Sequence, residues 1–201
     1  MIYNIALIVP IDLAHTATEL SEQLKSFGSE IVLDGTDFIP HISLYMTEFE
    51  TSSVAKITAK LGSIAEKFVA FELTAEKFYM NESNYIDIQY VCNKELQELH
   101  EEIIDNLKEL RLKKPVSRNY YTGPAADKMY QNVLDFGYSI GKELYRPHLT
   151  LAKLRTPDQE ALESLKWGEF DMSATKIGLY EADKLGACRR LVQAFTLKEN
   201  N

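Results

Sequence analysis

Apolar residues recur along the chain at two different spacings, which divide it into predicted strands and helices. Asn4 to Val9 is an almost continuous apolar run and predicts a buried strand. Asp12 is suited to cap a helix, and the apolar residues that follow it at helical spacing extend this helix to about Phe27. The same spacing predicts further helices over Ser52 or Ser53 to Lys67, Lys94 to Leu110, Ala126 to Phe136 and Pro157 to Lys166.

The remaining regular segments have the length and composition of strands. The polar run Asn81 to Asn84 is typical of a turn, so the strands on either side of it form a hairpin. Lys113 to Asp127 contains two prolines and a glycine and is the most loop-like segment. The predicted strands are Phe38 to Met46, Phe68 to Met80, Tyr85 to Val91, Arg146 to Leu154, Glu169 to Tyr180 and Arg189 to Leu197.

Two pairs of these segments resemble each other. FIPHISL, from Phe38, matches YRPHLTL, from Tyr145, and FELTAEKF, from Phe71, matches FDMSATKI, from Phe170. In each copy the order is motif strand, helix, long strand and return strand. The sequence therefore predicts an α+β fold made of two copies of one unit, related by a pseudo-twofold axis.

The repeated motif places a histidine and a hydroxyl side by side. Because side chains alternate along a strand, His41 and Ser43 share one face, and so do His148 and Thr150. A proline precedes each histidine and has no N–H for hydrogen bonding to a neighbouring strand. Each histidine therefore lies at the end of its strand, where this pairing begins. If the two copies meet about the axis, both motifs face one cleft.

Two imidazoles and two hydroxyls in one cleft suit the chemistry of a phosphodiester. A neutral histidine can take a proton from the attacking oxygen while a protonated one donates to the leaving oxygen. The hydroxyls of Ser43 and Thr150 can donate to the non-bridging phosphate oxygens. This chemistry requires no metal and no cofactor. The competing interpretation is that each histidine is a structural residue; His15 and His100, which lack the motif, fit that interpretation.

The chain resembles the two-histidine phosphoesterase superfamily, which includes 2′-5′ RNA ligase-like proteins and cyclic nucleotide phosphodiesterases. The resemblance rests on Pro40 to Leu44 and Pro147 to Leu151, which match the paired His-x-Ser/Thr signatures, and on the closing segment LYEADKLGACRRLVQAFTL. It implies a bilobal fold of two antiparallel β-sheets flanked by helices around a central cleft. It also implies metal-independent cleavage, or reversible formation, of 2′- or 3′-linked phosphodiesters and cyclic phosphates.

Five other residues are candidates for substrate contact. Tyr45 lies two positions beyond Ser43, so regular alternation places it on the same strand face. Arg146 lies two positions before His148 and could contact a phosphate. The loop residues Arg118, Tyr120 and Tyr121 combine positive charge with aromatic rings, a composition suited to stacking on nucleotides.

Length, composition and charge narrow the class of protein. The 201 residues suit a single domain of two lobes, approximately 1–84 and 85–201, with C-terminal strands that could cross between them. The net charge of −8 argues against non-specific electrostatic binding to duplex DNA. Cys92 and Cys188 are far apart and are expected to be free thiols. No apolar run is long enough for a membrane span, and the N-terminus lacks the basic region of a signal peptide.

These features predict a cytoplasmic monomer whose partner is a nucleotide or an RNA end with a cyclic or 2′-linked phosphate. A zinc site at His41 and His148 is disfavoured, since catalytic zinc usually has three protein ligands. Two alternatives remain open at this point. The same fold could bind nucleotides or RNA without turnover, or it could be a scaffold with no ligand in the cleft.

Overall fold

The computed structural model describes residues 1–199 as five α-helices and ten strands, joined by short turns and single turns of 3₁₀-helix. The helices are α1 (Ile11–Leu24), α2 (Val54–Ala65), α3 (Lys94–Leu107), α4 (Ala126–Phe136) and α5 (Gln159–Glu163). The strands are β1 (Ile2–Ile8), β2 (Ser29–Val32), β3 (His41–Glu48), β4 (Phe71–Leu73), β5 (Ala75–Met80), β6 (Tyr85–Tyr90), β7 (His148–Leu154), β8 (Met172–Ala174), β9 (Lys176–Ala182) and β10 (Cys188–Thr196).

Eight of the strands form one antiparallel sheet. Its order is β10-β9-β1-β3-β7-β6-β5, and β2 also pairs with β7. The two motif strands, β3 and β7, are neighbours in the middle of this sheet and are joined by a single residue pair, Ile42 opposite Leu149. The C-terminal strands β9 and β10 extend the β1 side, while β5 and β6 extend the β7 side. The division into lobes near residue 84 stays a prediction.

The second sheet joins the other two segments of the internal repeat. β4 pairs with β8 in antiparallel fashion, with Glu72 opposite Ser173 at its centre. Each of the two predicted long strands is broken into two, after Leu73 in one copy and after Ala174 in the other. The predicted fold class is therefore confirmed: the chain is α+β, with two antiparallel sheets and flanking helices.

The helices cover the sheets with the apolar faces that the sequence predicts. In α3 the buried residues include the predicted stripe of Leu96, Leu99, Ile103 and Leu107. The side chain of Asn93 caps this helix by accepting a hydrogen bond from the Leu96 N–H at 2.9 Å. α3 packs against α2 and against the motif strand β3, and α1 packs against β7 and β2. The motif strands are thus held from behind by separate helices.

None of the helices within residues 1–199 has the length and apolar character required to span a bilayer.

Candidate active site

The pairing of β3 with β7 brings both histidine motifs to one face of the large sheet. Continuing the antiparallel register by one residue on either side of the Ile42–Leu149 pair places His41 opposite Thr150 and Ser43 opposite His148. Ile42 and Leu149 are fully buried on the other face. The four polar side chains therefore form a square on this face of the sheet. The two imidazoles lie at diagonally opposite corners of that square.

One cavity of about 250 Å³ is lined by all four of these side chains. Its remaining wall comes from β2 and the segment after it, from β3, from the β5–β6 hairpin, from the loop before β7 and from the β9–β10 turn. The apolar and aromatic residues of this wall are Ile31, Leu33, Phe38, Ile39, Met46, Tyr85, Tyr138, Ile140 and Leu185. A cleft with few polar groups on an apolar wall is typical of small-molecule sites.

The two histidine rings are oriented in the same way. His41 Nδ1 lies 2.7 Å from the Ile39 carbonyl, and His148 Nδ1 lies 2.7 Å from the Arg146 carbonyl. Since a carbonyl can only accept, each Nδ1 carries a hydrogen and donates it. The Nε2 atom of each neutral ring is then an acceptor. The backbone of the Pro-His motif thus fixes the tautomer that a general base needs.

The surroundings of the two histidines differ. Burial lowers the pKa of His41 to about 4, and the nearby His148 adds to this effect. His148 also lines a second cavity, of about 340 Å³, which contains the polar side chains Asn81, Gln89 and Arg146. His41 is therefore held neutral around pH 7, whereas His148 lines both cavities.

Each signature hydroxyl has a partner on the neighbouring strand. Asn4, in β1, is fully buried and donates from Nδ2 to Ser43 Oγ at 2.7 Å. Asp87, in β6, is 3% exposed and accepts a hydrogen bond from Thr150 Oγ1 at 2.7 Å. Asn4 and Asp87 were not identified from the sequence. For Asn4 a signal was present, because it is a polar residue inside an otherwise apolar strand.

Tyr45 does not lie on the face that alternation predicts. Successive β1 residues Ile5 and Ala6 lie opposite Tyr45 and Ser43, so β3 has an extra residue, Leu44, at this point. This β-bulge reverses the alternation beyond Ser43. Tyr45 is fully buried, and its hydroxyl donates to the Phe136 carbonyl at 2.5 Å. The prediction that Tyr45 shares a strand face with Ser43 is therefore wrong.

Of the four other candidates for substrate contact, one lines a cavity and three do not. Arg146 lines the second cavity beside His148. Arg118 is engaged with Asp127 and with the Tyr121 carbonyl, and Tyr120 is 80% exposed. None of the three loop residues lines either cavity, although their neighbours Thr122 to Ala125 line the second one. Substrate contact by the loop stays a prediction.

His100, on α3, connects β3 with the segment that precedes β7. Its Nδ1 donates to the Leu44 carbonyl of β3 at 2.5 Å, and its Nε2 accepts from the Lys142 N–H at 2.7 Å. The ring stacks on Tyr145, with centroids 3.9 Å apart, and the Tyr145 hydroxyl donates to the Ser43 carbonyl at 2.9 Å. His100 is thus a structural histidine that supports the site.

No group of three or more His, Cys, Asp or Glu side chains that could hold a metal ion is present among residues 1–199.

Comparisons with known proteins give a family for the chain and solved structures with a similar fold. Residues 36–186 match the model of the 2′-5′ RNA ligase superfamily. A search of curated proteins found no match. Among solved structures, TT0787 of Thermus thermophilus aligns over 100% of both chains with 15% identity and a TM-score of 0.64. LigT of E. coli, solved with 3′-AMP, aligns over 98% of this chain and 97% of its own, with 13% identity and a TM-score of 0.58.

Proposed function

The chain belongs to the 2′-5′ RNA ligase superfamily, and from this premise we propose that it is a metal-independent phosphodiesterase. Its substrates are 2′,3′-cyclic phosphates or 2′-5′ phosphodiester bonds of nucleotides or RNA. The observation that carries the proposal is that His41, Ser43, His148 and Thr150 line one cavity. The membership confirms the resemblance to two-histidine phosphoesterases inferred from the signatures.

The reaction uses the two histidines as a base and an acid on opposite sides of one phosphorus. The base takes the proton of the attacking water or hydroxyl, whose oxygen bonds to phosphorus. The bond from phosphorus to the leaving oxygen breaks, and the acid donates its proton to that oxygen. Because the same groups serve the reverse reaction, 2′-5′ ligation of RNA ends follows the same path.

We assign the base to His41 and the acid to His148. Burial keeps the His41 ring neutral, with its Nε2 as an acceptor. A base of low pKa is a weak one, but it is in the correct protonation state across the neutral range. The acid is then His148, the other imidazole that lines the same cavity.

The assignment can be tested with a substrate that does not need an acid. A p-nitrophenyl phosphodiester of a nucleoside has a leaving group that departs without a proton. Its hydrolysis by His148→Ala should fall much less than the hydrolysis of a 2′,3′-cyclic nucleotide, whereas His41→Ala should lose both activities. Recovery of p-nitrophenyl hydrolysis in His41→Ala alone would reverse the assignment.

The nature of the cleft and the solved relatives support a nucleotide substrate. LigT of E. coli has been solved with 3′-AMP, with ATP and with phosphate. In the present chain, the cavity lined by both motifs offers aromatic and aliphatic surface for a base next to the motif hydroxyls. The predicted partner therefore remains a nucleotide or an RNA end.

The rival function is a binding module that keeps the fold but does not turn substrate over. Calorimetric titration of 2′,3′-cyclic mononucleotides and 2′-5′ dinucleotides, with phosphorus NMR on the same samples, separates the two. We expect conversion to a phosphomonoester or a cyclic phosphate, undiminished by EDTA. Tight binding with an unchanged phosphorus spectrum would refute the phosphodiesterase in favour of the module.

A further inference from the structure

The two signature hydroxyls, though equivalent in the repeat, are not equally ready to bind an anion. Ser43 Oγ accepts a hydrogen bond from the Asn4 amide, so the Ser43 proton is free to point into the cleft. Thr150 instead donates its only proton to Asp87 Oδ1 at 2.7 Å. While Asp87 is ionised, Thr150 presents lone pairs to the cleft, and these repel a phosphate oxygen.

Asp87 is enclosed by groups from three neighbouring segments. In β7 it faces Thr150 and His148, and in β5 it lies opposite Tyr79. From the turn before β6, Asn81 Nδ2 lies 3.4 Å from Asp87 Oδ2. Burial raises the pKa of the Asp87 carboxyl, whereas the His148 charge and the hydrogen bonds from Thr150 and Asn81 act in the opposite direction.

Further charges near Asp87 are few. Tyr85, on the same strand as Asp87, is neutral, and its pKa is raised chiefly by burial. Glu82 and Arg146 line the second cavity together with Asp87 and His148 and carry opposite charges. Among residues 1–199, Asp87 is the only acidic side chain that is buried, so its charge state depends strongly on the few groups around it.

We propose that Asp87 is a positioning residue of the phosphate site and carries a proton whenever a phosphate or a similar tetrahedral anion is bound. An anion beside Thr150 lies one hydrogen bond away from the carboxylate and repels its charge. Protonated Asp87 donates its O–H to Thr150 Oγ1, and the Thr150 proton turns to the anion. The hydrogen bond between the two residues reverses its direction, and one proton enters from solvent.

When Asp87 is protonated, the Thr150 hydroxyl becomes equivalent to the Ser43 hydroxyl. Neutral Asp87 does for Thr150 what the Asn4 amide does for Ser43, since both donate to the hydroxyl and release its proton toward the cleft. The inference rests on the proposed function only in that the cleft binds a phosphate, and it holds for binding without turnover. Anion affinity should therefore fall as the pH rises above the pKa of Asp87.

Sulfate is a suitable probe because it is tetrahedral and does not titrate between pH 5 and 8. Calorimetric titration in buffers of different ionisation enthalpy gives the number of protons taken up for each sulfate bound. The histidines also respond to an anion, so Asp87→Asn is the matched control: its amide can donate to Thr150 without titrating. At pH 8 we expect the wild type to take up close to one proton more than Asp87→Asn, and to bind sulfate at least ~10-fold more weakly.

A second measurement uses the unaltered protein. Infrared difference spectra on adding sulfate at pH 8 should show the C=O stretch of a protonated carboxyl, which is absent from the Asp87→Asn spectrum. Equal proton uptake in the two proteins, weaker sulfate binding by Asp87→Asn, or no carboxyl band in the wild type would each overturn the proposal. None of these results depends on hydrolysis, so the proposed reaction is tested separately.

Discussion

Replacing His100 by leucine removes the link between α3, the motif strand β3 and the segment that precedes β7. The imidazole is fully buried, and it satisfies two main-chain groups: the Leu44 carbonyl and the Lys142 N–H. Leucine fills a similar volume but leaves both groups without a partner. Each unsatisfied buried group costs about 1–3 kcal/mol, so we expect the free energy of unfolding to fall by about 2–6 kcal/mol at pH 7.

The same substitution has a characteristic pH dependence. Burial lowers the pKa of His100 from its ordinary value of 6.5 to about 4. The folded protein therefore prefers the neutral ring, and its stabilising contribution is complete above pH 6.5. As the pH falls from 6.5 toward 4, the His100 ring binds a proton in the unfolded chain more readily than in the folded protein. This preferential protonation lowers the free energy of unfolding by about 3 kcal/mol at pH 4. The difference between wild type and His100→Leu should shrink by that amount between pH 7 and pH 4.

Urea denaturation of both proteins at pH 7, 5.5 and 4 measures this difference directly. His15→Leu is the matched control, because His15 is exposed on α1 and its replacement should change stability by no more than about 0.5 kcal/mol. A loss below about 1 kcal/mol at pH 7, or the same loss at pH 7 and pH 4, would refute the reasoning.

Two further substitutions test other parts of the structure. Gly137 has φ +78°, and a Cβ there would lie 2.6 Å from Thr47 Oγ1. Gly137→Ala should therefore destabilise the protein by about 1–3 kcal/mol, which thermal melts can measure. An unchanged melting temperature would contradict this packing. Tyr45→Phe removes a buried hydroxyl bonded to a main-chain carbonyl and should cost about 1–2 kcal/mol in urea denaturation. Because Tyr45 faces the core, the KM of this variant for a cyclic nucleotide should equal that of the wild type, and a raised KM would restore the tyrosine to the site.

The two His-x-Ser/Thr motifs could be predicted from the sequence because their geometry is local. His41 and Ser43 are two residues apart in one strand, and alternation over that distance needs no knowledge of the neighbours. Two residues further on, the prediction for Tyr45 failed, because a bulge opposite β1 shifts the alternation. A bulge depends on the register with another strand, which the sequence of one strand does not contain.

Pairing between distant segments accounts for the other differences. β2 has only four residues and is stabilised by pairing with β7, more than 100 residues later, so its own sequence carries little signal. The role of Asp87 likewise appears only when β6 is placed beside β7, which sets it opposite Thr150. By contrast, the apolar stripe of α3 repeats within one helix and was predicted correctly.

The central claim is that His41 and His148 act together on one phosphorus atom. Phosphorus NMR of a 2′,3′-cyclic mononucleotide, followed with wild type, His41→Ala and His148→Ala in the presence of EDTA, tests it most directly. We expect conversion by the wild type and a loss of at least ~100-fold in each variant, with both variants still folded. Full activity in either variant would contradict the claim.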